Sequence, residues 1–141
     1  MLFNEIATFD KKMRLRHYKN LFCKVKERAG SLSATEAYSA DVIYLMENPT
    51  IKQFADCLGI SQPNATYKVS NLIEKGYIRK ENGTDDRREF RLHMADKFFG
   101  YFDTNEEFLQ DAILKLRNDF SDEELGAFEK VLSRLNNELD N

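Results

Sequence analysis

The fold of this chain is decided by one stretch near its middle, TIKQFADCLGISQPNATYKVSNLIEKGYIRKENG at residues 50–83. Thr50 and Gln53 have the spacing of a helix capping box, in which each side chain satisfies a free backbone N–H at the start of a helix. Gly59 is a natural end for the short helix that follows, and Ser61 is placed to cap the next one. Two helices joined by so tight a turn predict a helix-turn-helix unit.

A β-hairpin is predicted directly after the second helix, which Gly76 ends. Residues 77–81 lead to Asn82-Gly83, a dipeptide typical of tight hairpin turns. Beyond a polar loop, apolar and polar residues alternate over residues 89–94, which indicates a strand with one buried face that carries Phe90, Leu92 and Met94. A hairpin after a helix-turn-helix makes the unit a winged helix.

Before this unit, apolar residues at helical spacing predict a long first helix over residues 2–29, with Gly30 as its stop. A capping box at Ser33–Glu36 begins a second helix, and Asn48-Pro49 ends it.

After the hairpin, residues 96–117 return to helical spacing, either as one helix or as two helices divided at a Thr104–Glu107 box. Ser121–Glu124 opens a last helix whose apolar residues have the 3–4 spacing of helices that pack along one another. The chain is therefore predicted to be mainly α with a small β-hairpin wing.

Composition and charge narrow the class of protein. The chain has 141 residues, 42% of them hydrophobic and 32% charged, which fits one globular domain. Residues 1–94 carry 16 basic and 12 acidic side chains, whereas residues 95–141 carry 5 basic and 12 acidic ones. The first two-thirds of the chain is therefore basic, although the net charge of the whole chain is −3. We expect neither a secretory signal nor a membrane span, and two cysteines make no disulfide framework, so a cytoplasmic protein is predicted.

The exposed side of the second helix of the helix-turn-helix is the candidate DNA-reading surface, because this helix enters the major groove in such folds. Amides pair with adenine and lysine reaches guanine, whereas short hydroxyls suit phosphates. Arginines at the wing tip suit a narrow minor groove. The candidate base-reading residues are Gln62, Asn64, Tyr67, Lys68 and Asn71, the phosphate contacts are Ser61, Thr66 and Ser70, and the wing arginines are Arg87 and Arg88.

Residues 50–97 resemble the winged-helix region of the MarR family of bacterial transcriptional regulators. The resemblance rests on the stretches Thr50–Ala55, Leu58–Thr66, Leu72–Ile78 and Asp85–Arg88. The Asp-x-Arg pattern of the family's wing falls on Asp86 and Arg88, which implies that Asp86 holds the arginine in position.

The resemblance also implies the organisation of the whole chain. Residues 1–30 would form an N-terminal dimerisation helix, residues 31–97 the DNA-binding lobe, and residues 98–141 C-terminal dimerisation helices that intertwine in a homodimer. A ligand pocket between lobe and helices is implied as well. The residues assigned to dimerisation are Phe9, Met13, Leu125, Phe128, Leu132 and Leu135, and those assigned to the pocket are Tyr38, Tyr44, Phe98 and Phe102.

Departures from the family pattern carry expectations of their own. Ala95 stands where the family commonly has a capping threonine, so we expect Asp96 to take over as the cap. Cys57 follows an apolar helix and is expected to be buried. His17 is expected to pack in the core or a dimer interface, and His93 to be solvated.

Enzymatic and metal-binding classes have no support in the sequence. The histidines and cysteines lack zinc-ligand spacing, nothing places a nucleophile beside a histidine, and there is no glycine-rich phosphate loop. We therefore predict no metal and no cofactor. The predicted function is that of a transcriptional regulator, in the first place a repressor, that binds double-stranded DNA as a homodimer at a pseudo-palindromic operator. A small-molecule effector is predicted as a further partner. The alternative is a winged-helix protein-interaction module without specific DNA binding.

Overall fold

The structure is a computed structural model, and it describes residues 1–25, 32–82 and 89–140. Over these residues the elements follow in chain order as α1 (Leu2–Val25), α2 (Ala34–Leu45), α3 (Ile51–Leu58), α4 (Gln62–Glu74), β1 (Ile78–Asn82), β2 (Phe90–Met94), α5 (Asp96–Tyr101), α6 (Glu106–Leu116) and α7 (Asp122–Leu139). The chain forms two compact units. The first unit, Met1–Thr104, holds α1 to α5 with the hairpin, and the second unit, Asn105–Asn141, holds α6 and α7.

The capping boxes predicted at the starts of α2, α3 and α7 are confirmed. At α3 the Thr50 hydroxyl accepts from the Gln53 N–H at 3.1 Å, and the Gln53 side chain accepts from the Thr50 N–H at 2.9 Å. Ser33 with Glu36, and Ser121 with Glu124, form the same reciprocal pairs. Each box satisfies two N–H groups that a helix start leaves without partners.

The turn between α3 and α4 depends on Gly59, whose φ of 66° lies in the left-handed region that favours glycine. The Ile60 N–H donates to the Ala55 carbonyl at 3.0 Å, which reverses the chain within a few residues. Ser61 caps α4, as predicted, through a 3.2 Å hydrogen bond from the Asn64 N–H to its hydroxyl. These local bonds fix where α4 begins.

The hairpin strands are antiparallel, with Ile78 opposite Met94 and Lys80 opposite Leu92. At its base the Leu92 N–H donates to the Pro49 carbonyl at 2.9 Å, which joins the wing to the segment before α3. Leu92 is fully buried, but Phe90 is 43% exposed, so the prediction of a buried Phe90 is wrong. The hairpin extends beyond the core at that point, and among its described residues Ile78 and Leu92 pack inward.

The core of the first unit lies where α2, α3, α4, the base of the hairpin and α5 meet. Phe54, Ile43, Leu72, Leu92 and Phe98 are its largest fully buried apolar side chains in that region. Every element of the winged helix contributes to this core, so the position of α4 depends on all of them.

Two helix ends differ from prediction. The second helix stops at Leu45 rather than at Asn48-Pro49, because Glu47 and Asn48 both have left-handed φ values, 56° and 63°. The first helix is described to Val25, and the predicted stop at Gly30 lies outside the described residues.

Residues 96–117 contain two helices, α5 and α6, rather than one continuous helix. The residue before α6 is Asn105, with φ of 65° and no side-chain capping bond, so a Thr104–Glu107 box does not make the break. Asp96 is not the cap of α5 either. Ala95 holds that position, because its N–H donates to the Tyr77 carbonyl at 2.9 Å and keeps it extended.

Two further expectations about side chains are wrong. Cys57 is exposed, since the inward side of α3 is centred between Phe54 and Ala55 and Cys57 lies about 110° around the helix from that centre. His93 is half-buried rather than solvated, because its Nε2 lies 3.2 Å from the Glu81 carboxylate across the hairpin.

Candidate nucleic-acid interface

The exposed side of α4 lies opposite a stripe of fully buried side chains on the same helix. Ala65, Val69 and Leu72 are all fully buried on its inner side. Their spacing of three and four residues makes one continuous stripe, so the opposite side of α4 turns outward. Tyr67 on that side is 68% exposed.

None of the residues of α4 that the sequence assigned to DNA is buried. Ser61, Gln62, Asn64, Thr66, Tyr67 and Ser70 are exposed, whereas Lys68 and Asn71 are half-buried. The last two line a polar cavity of about 280 Å³ shared with the start of α2. The α4 surface therefore has an open part and a part that borders a cavity.

An ion pair links the start of α2 to the end of α4. Lys75 Nζ lies 2.8 Å from Glu36 Oε1, and the same carboxylate oxygen accepts from the Ser33 N–H at 3.0 Å. Lys97 Nζ donates to the Lys75 carbonyl at 2.7 Å and lies 4.6 Å from the centre of the Tyr77 ring. The pair was missed from the sequence, because Glu36 and Lys75 are 39 residues apart and Glu36 already had a local role as a capping residue.

The Glu36 pKa is set by two opposing causes. Partial burial raises it, but hydrogen bonds from Lys75 and from the Ser33 backbone and hydroxyl, with the charge of Lys75, hold the pKa below its ordinary 4.5. A depressed carboxyl pKa stabilises the fold above the unfolded-state pKa, and that contribution is lost as the pH falls through the folded-state pKa.

Glu36→Gln is therefore expected to lower the free energy of unfolding at pH 7 and to differ less and less from the wild type below pH 4.5. Glutamine at this position keeps the capping box, so loss of the cap does not explain the difference. Urea unfolding between pH 3 and pH 7 measures it, and Lys75→Met should reproduce the same pH signature. A difference that stays constant over this range would contradict the assigned role of the pair.

Polar contacts lie along both strands of the wing. Glu81 accepts from Arg79 Nε at 3.0 Å, and Arg91 Nη1 donates to the Asn48 carbonyl at 3.1 Å. The second contact joins β2 to the segment between α2 and α3. The wing-tip residues Asp86, Arg87 and Arg88, with the predicted turn at Gly83, lie outside the described residues.

Three of the four residues predicted for a ligand pocket lie together. Phe98 and Phe102 stack with ring centres 4.4 Å apart, and Tyr44 lies 5.4 Å from Phe98. Phe98 is fully buried and Phe102 nearly so, whereas Tyr38 is half exposed and takes no part in this stack. Tyr44 also lines a cavity of about 410 Å³ beside Phe99, Arg79 and His93, so the pocket stays a prediction with Tyr44 as its best-placed member.

The residues predicted for dimerisation lie on helices with uncovered apolar sides. In α1, Phe9 is 54% exposed and Met13 is half-buried. In α7, Phe128 is 56% and Leu132 40% exposed, with Leu125 and Leu135 half-buried.

Polar contacts join the second half of α1 to other elements of the first unit. His17 Nε2 lies 3.0 Å from the Asp41 carboxylate, and Asp103 accepts from Arg16 and Asn20 at 3.1 Å each. Burial raises the Asp41 pKa against the opposing effect of His17. His17 thus makes a polar contact across two helices rather than an apolar packing contact.

The described ranges hold neither a candidate metal site nor a candidate membrane span. No three histidine, cysteine or carboxylate side chains come together there in a way that suits a metal ion. No helix in the described part of the chain is both long and apolar enough to cross a membrane.

With two helices, a tight turn and an antiparallel hairpin packed on one core, this chain is a winged helix-turn-helix protein. Residues 31–89, which include the winged-helix region, match the model of the MarR family. No curated protein sequence matches the chain.

Solved structures of the same fold cover nearly the whole chain. FabT of Streptococcus pneumoniae, solved in complex with DNA, is 23% identical over 98% of this chain and 97% of its own, with a TM-score of 0.55. A MarR-like transcriptional regulator from Thermotoga maritima is 23% identical over 97% and 96%, with a TM-score of 0.54. A mutant MarR from E. coli complexed with operator DNA is 16% identical over 96% and 98%, with a TM-score of 0.51. At such identities the likeness establishes the fold alone.

Proposed function

We propose that this chain is a sequence-specific DNA-binding transcriptional regulator, working in the cytoplasm as a homodimer on a pseudo-palindromic operator. The observation that carries the proposal is the division of α4, which buries Ala65, Val69 and Leu72 completely and turns amides and hydroxyls outward. A helix held so firmly on one side and polar on the other is suited to the major groove. FabT and MarR, which share the fold, were each solved with DNA.

Each part of the chain has a role in this proposal. Residues 31–97 form the DNA-binding lobe, in which α4 addresses bases and Arg87 and Arg88 enter the minor groove beside Asp86. Residues 1–30 and 98–141 form the dimer, because their apolar sides need a covering surface that a second copy supplies. Two lobes would then address half-sites about one DNA turn apart. Repression follows when the dimer occupies a promoter and excludes polymerase.

The experiment that tests the proposal is fluorescence anisotropy with the DNA upstream of the gene, at several salt concentrations and with random DNA as competitor. Tight binding that survives the competitor and weakens steeply with salt is expected. Equal affinity for random DNA and for DNA fragments selected across the genome would favour a protein-interaction module instead.

Asn64→Ala is expected to change which base is preferred at one position of each half-site, because an asparagine amide pairs with adenine through two hydrogen bonds. The discrimination lost should be about 1–3 kcal/mol. Competition between operators that differ at single base pairs measures it. Asn118→Ala, an exposed asparagine in the second unit, is the matched control and should leave the preference unchanged. An unaltered preference in Asn64→Ala would mean that α4 does not read bases at this residue.

A further inference from the structure

The cavity of about 280 Å³ between α2 and α4 has walls of two kinds. Thr35 and Ser39, which carry hydroxyls, line the α2 wall, and Tyr67, Lys68 and Asn71 line the α4 wall. Ser39 is only 4% exposed, although it lines the cavity. A nearly buried hydroxyl that lines a polar cavity needs a hydrogen-bond partner, and an occupant of the cavity can supply one.

The charges around the cavity favour an anion. Glu36 also lines it, but its carboxylate is engaged by Lys75 at 2.8 Å and by the Ser33 N–H at 3.0 Å. Lys68 makes no ion pair with any residue in the described part of the chain. Because Lys75 neutralises Glu36, the positive charge of Lys68 gives the cavity a net positive charge. An ammonium group with short hydroxyls and an amide is the donor set that binds phosphate oxygens in protein–DNA complexes.

The place of the cavity suits a DNA phosphate. Tyr67 belongs both to the cavity and to the exposed side of α4. A helix in the major groove, which is about 12 Å wide, has a sugar–phosphate backbone along each side. A cavity that borders the α4 surface on the side of α2 is therefore in reach of one of those backbones.

We propose that this cavity, named here the phosphate seat, binds one phosphodiester of the operator backbone, with Lys68 as its cation and Thr35 and Ser39 as hydroxyl donors. The inference rests on the proposed function. It gives Lys68 a positioning role, fixing the register of α4 along the groove, rather than a part in base recognition. Sequence preference then comes from the open part of α4, where Asn64 and Tyr67 lie.

Lys68→Met tests the seat, since methionine keeps an unbranched side chain and removes the charge. We expect affinity for operator and for random DNA to fall alike, by about tenfold at 0.1 M salt, and the slope of log K against log salt to become shallower by about 0.9. Lys130→Met removes one charge from exposed α7 and should leave the slope as in the wild type.

A scan of operators with a single neutral methylphosphonate locates the phosphate. At one position per half-site the neutral group should weaken the wild type and have no further effect on Lys68→Met. The same position should lose its effect in the double variant Thr35→Val, Ser39→Ala.

Several results would overturn the seat while the proposed function stands. One is an unchanged salt slope in Lys68→Met, and another is a changed base preference at one position, which would make Lys68 a base reader.

If the wild type bound no DNA, the proposed function would fall. An NMR titration with inorganic phosphate then separates the sources: shifts of the Thr35, Ser39 and Lys68 amide signals would retain a site for free phosphate, and their absence would overturn it.

Discussion

Leu132→Glu is expected to separate the proposed dimer into monomers and thereby to abolish tight operator binding. Leu132 is 40% exposed on α7, and Phe128, four residues before it, is 56% exposed on the same side of the helix. In the proposed dimer a second copy covers this side. A glutamate there would lose its hydration without gaining a cation, which costs about 3–5 kcal/mol and raises the dimer dissociation constant by about 100-fold or more.

Operator binding should fall for a geometric reason as well. A dimer binds two half-sites at once, so the second contact benefits from a high effective concentration that a monomer lacks. Sedimentation equilibrium measures the dimer, and anisotropy at the same protein concentrations measures the binding. Lys130→Glu, about 200° around α7 from Leu132, should retain the dimer. An intact dimer in Leu132→Glu would remove this side of α7 from the interface.

The parts of the fold that the sequence predicts correctly are those that local chemistry determines. The boxes at Thr50 and Ser121, the cap at Ser61 and the left-handed Gly59 each depend on residues within about four positions, so their spacing is visible in the sequence. The hairpin was also predicted, from alternation and the turn dipeptide. Its buried face was misjudged at Phe90, because exposure there depends on how far the core extends.

Two of the wrong predictions depend on partners that are distant in the sequence. Asp96 does not cap α5, because the Tyr77 carbonyl, 18 residues earlier, holds Ala95 extended. His93 is half-buried because Glu81 lies across the hairpin. At the candidate interface the exposed residues of α4 were found from polarity alone. The cavity beside Lys68 cannot be predicted in this way, since its other wall comes from α2 and no spacing along the chain shows that the two helices lie side by side there.

Phe54→Ala is expected to lower the free energy of unfolding by about 3–5 kcal/mol. The ring of Phe54 is fully buried where α3 meets the rest of the core, so its removal forfeits hydrophobic burial and leaves a cavity that the neighbouring helices close only in part. Single domains are stabilised by only about 5–15 kcal/mol in total, so this loss is a large fraction. Urea unfolding at one fixed protein concentration measures it, because a dimer's stability depends on concentration.

Tyr67→Ala is the matched control, since it removes an aromatic ring of similar size from the 68% exposed position on α4. Its unfolding should stay within about 0.5 kcal/mol of the wild type, because it touches no buried packing, while its operator binding falls. Phe54→Ala should lose stability but retain operator binding. Its binding is measured at low temperature, where enough of the variant stays folded to bind DNA. Equal losses of stability in the two variants would mean that Tyr67 is part of the core in the dimer. Equal losses of binding at full folding would mean that α3 packing, rather than the exposed side of α4, limits DNA recognition.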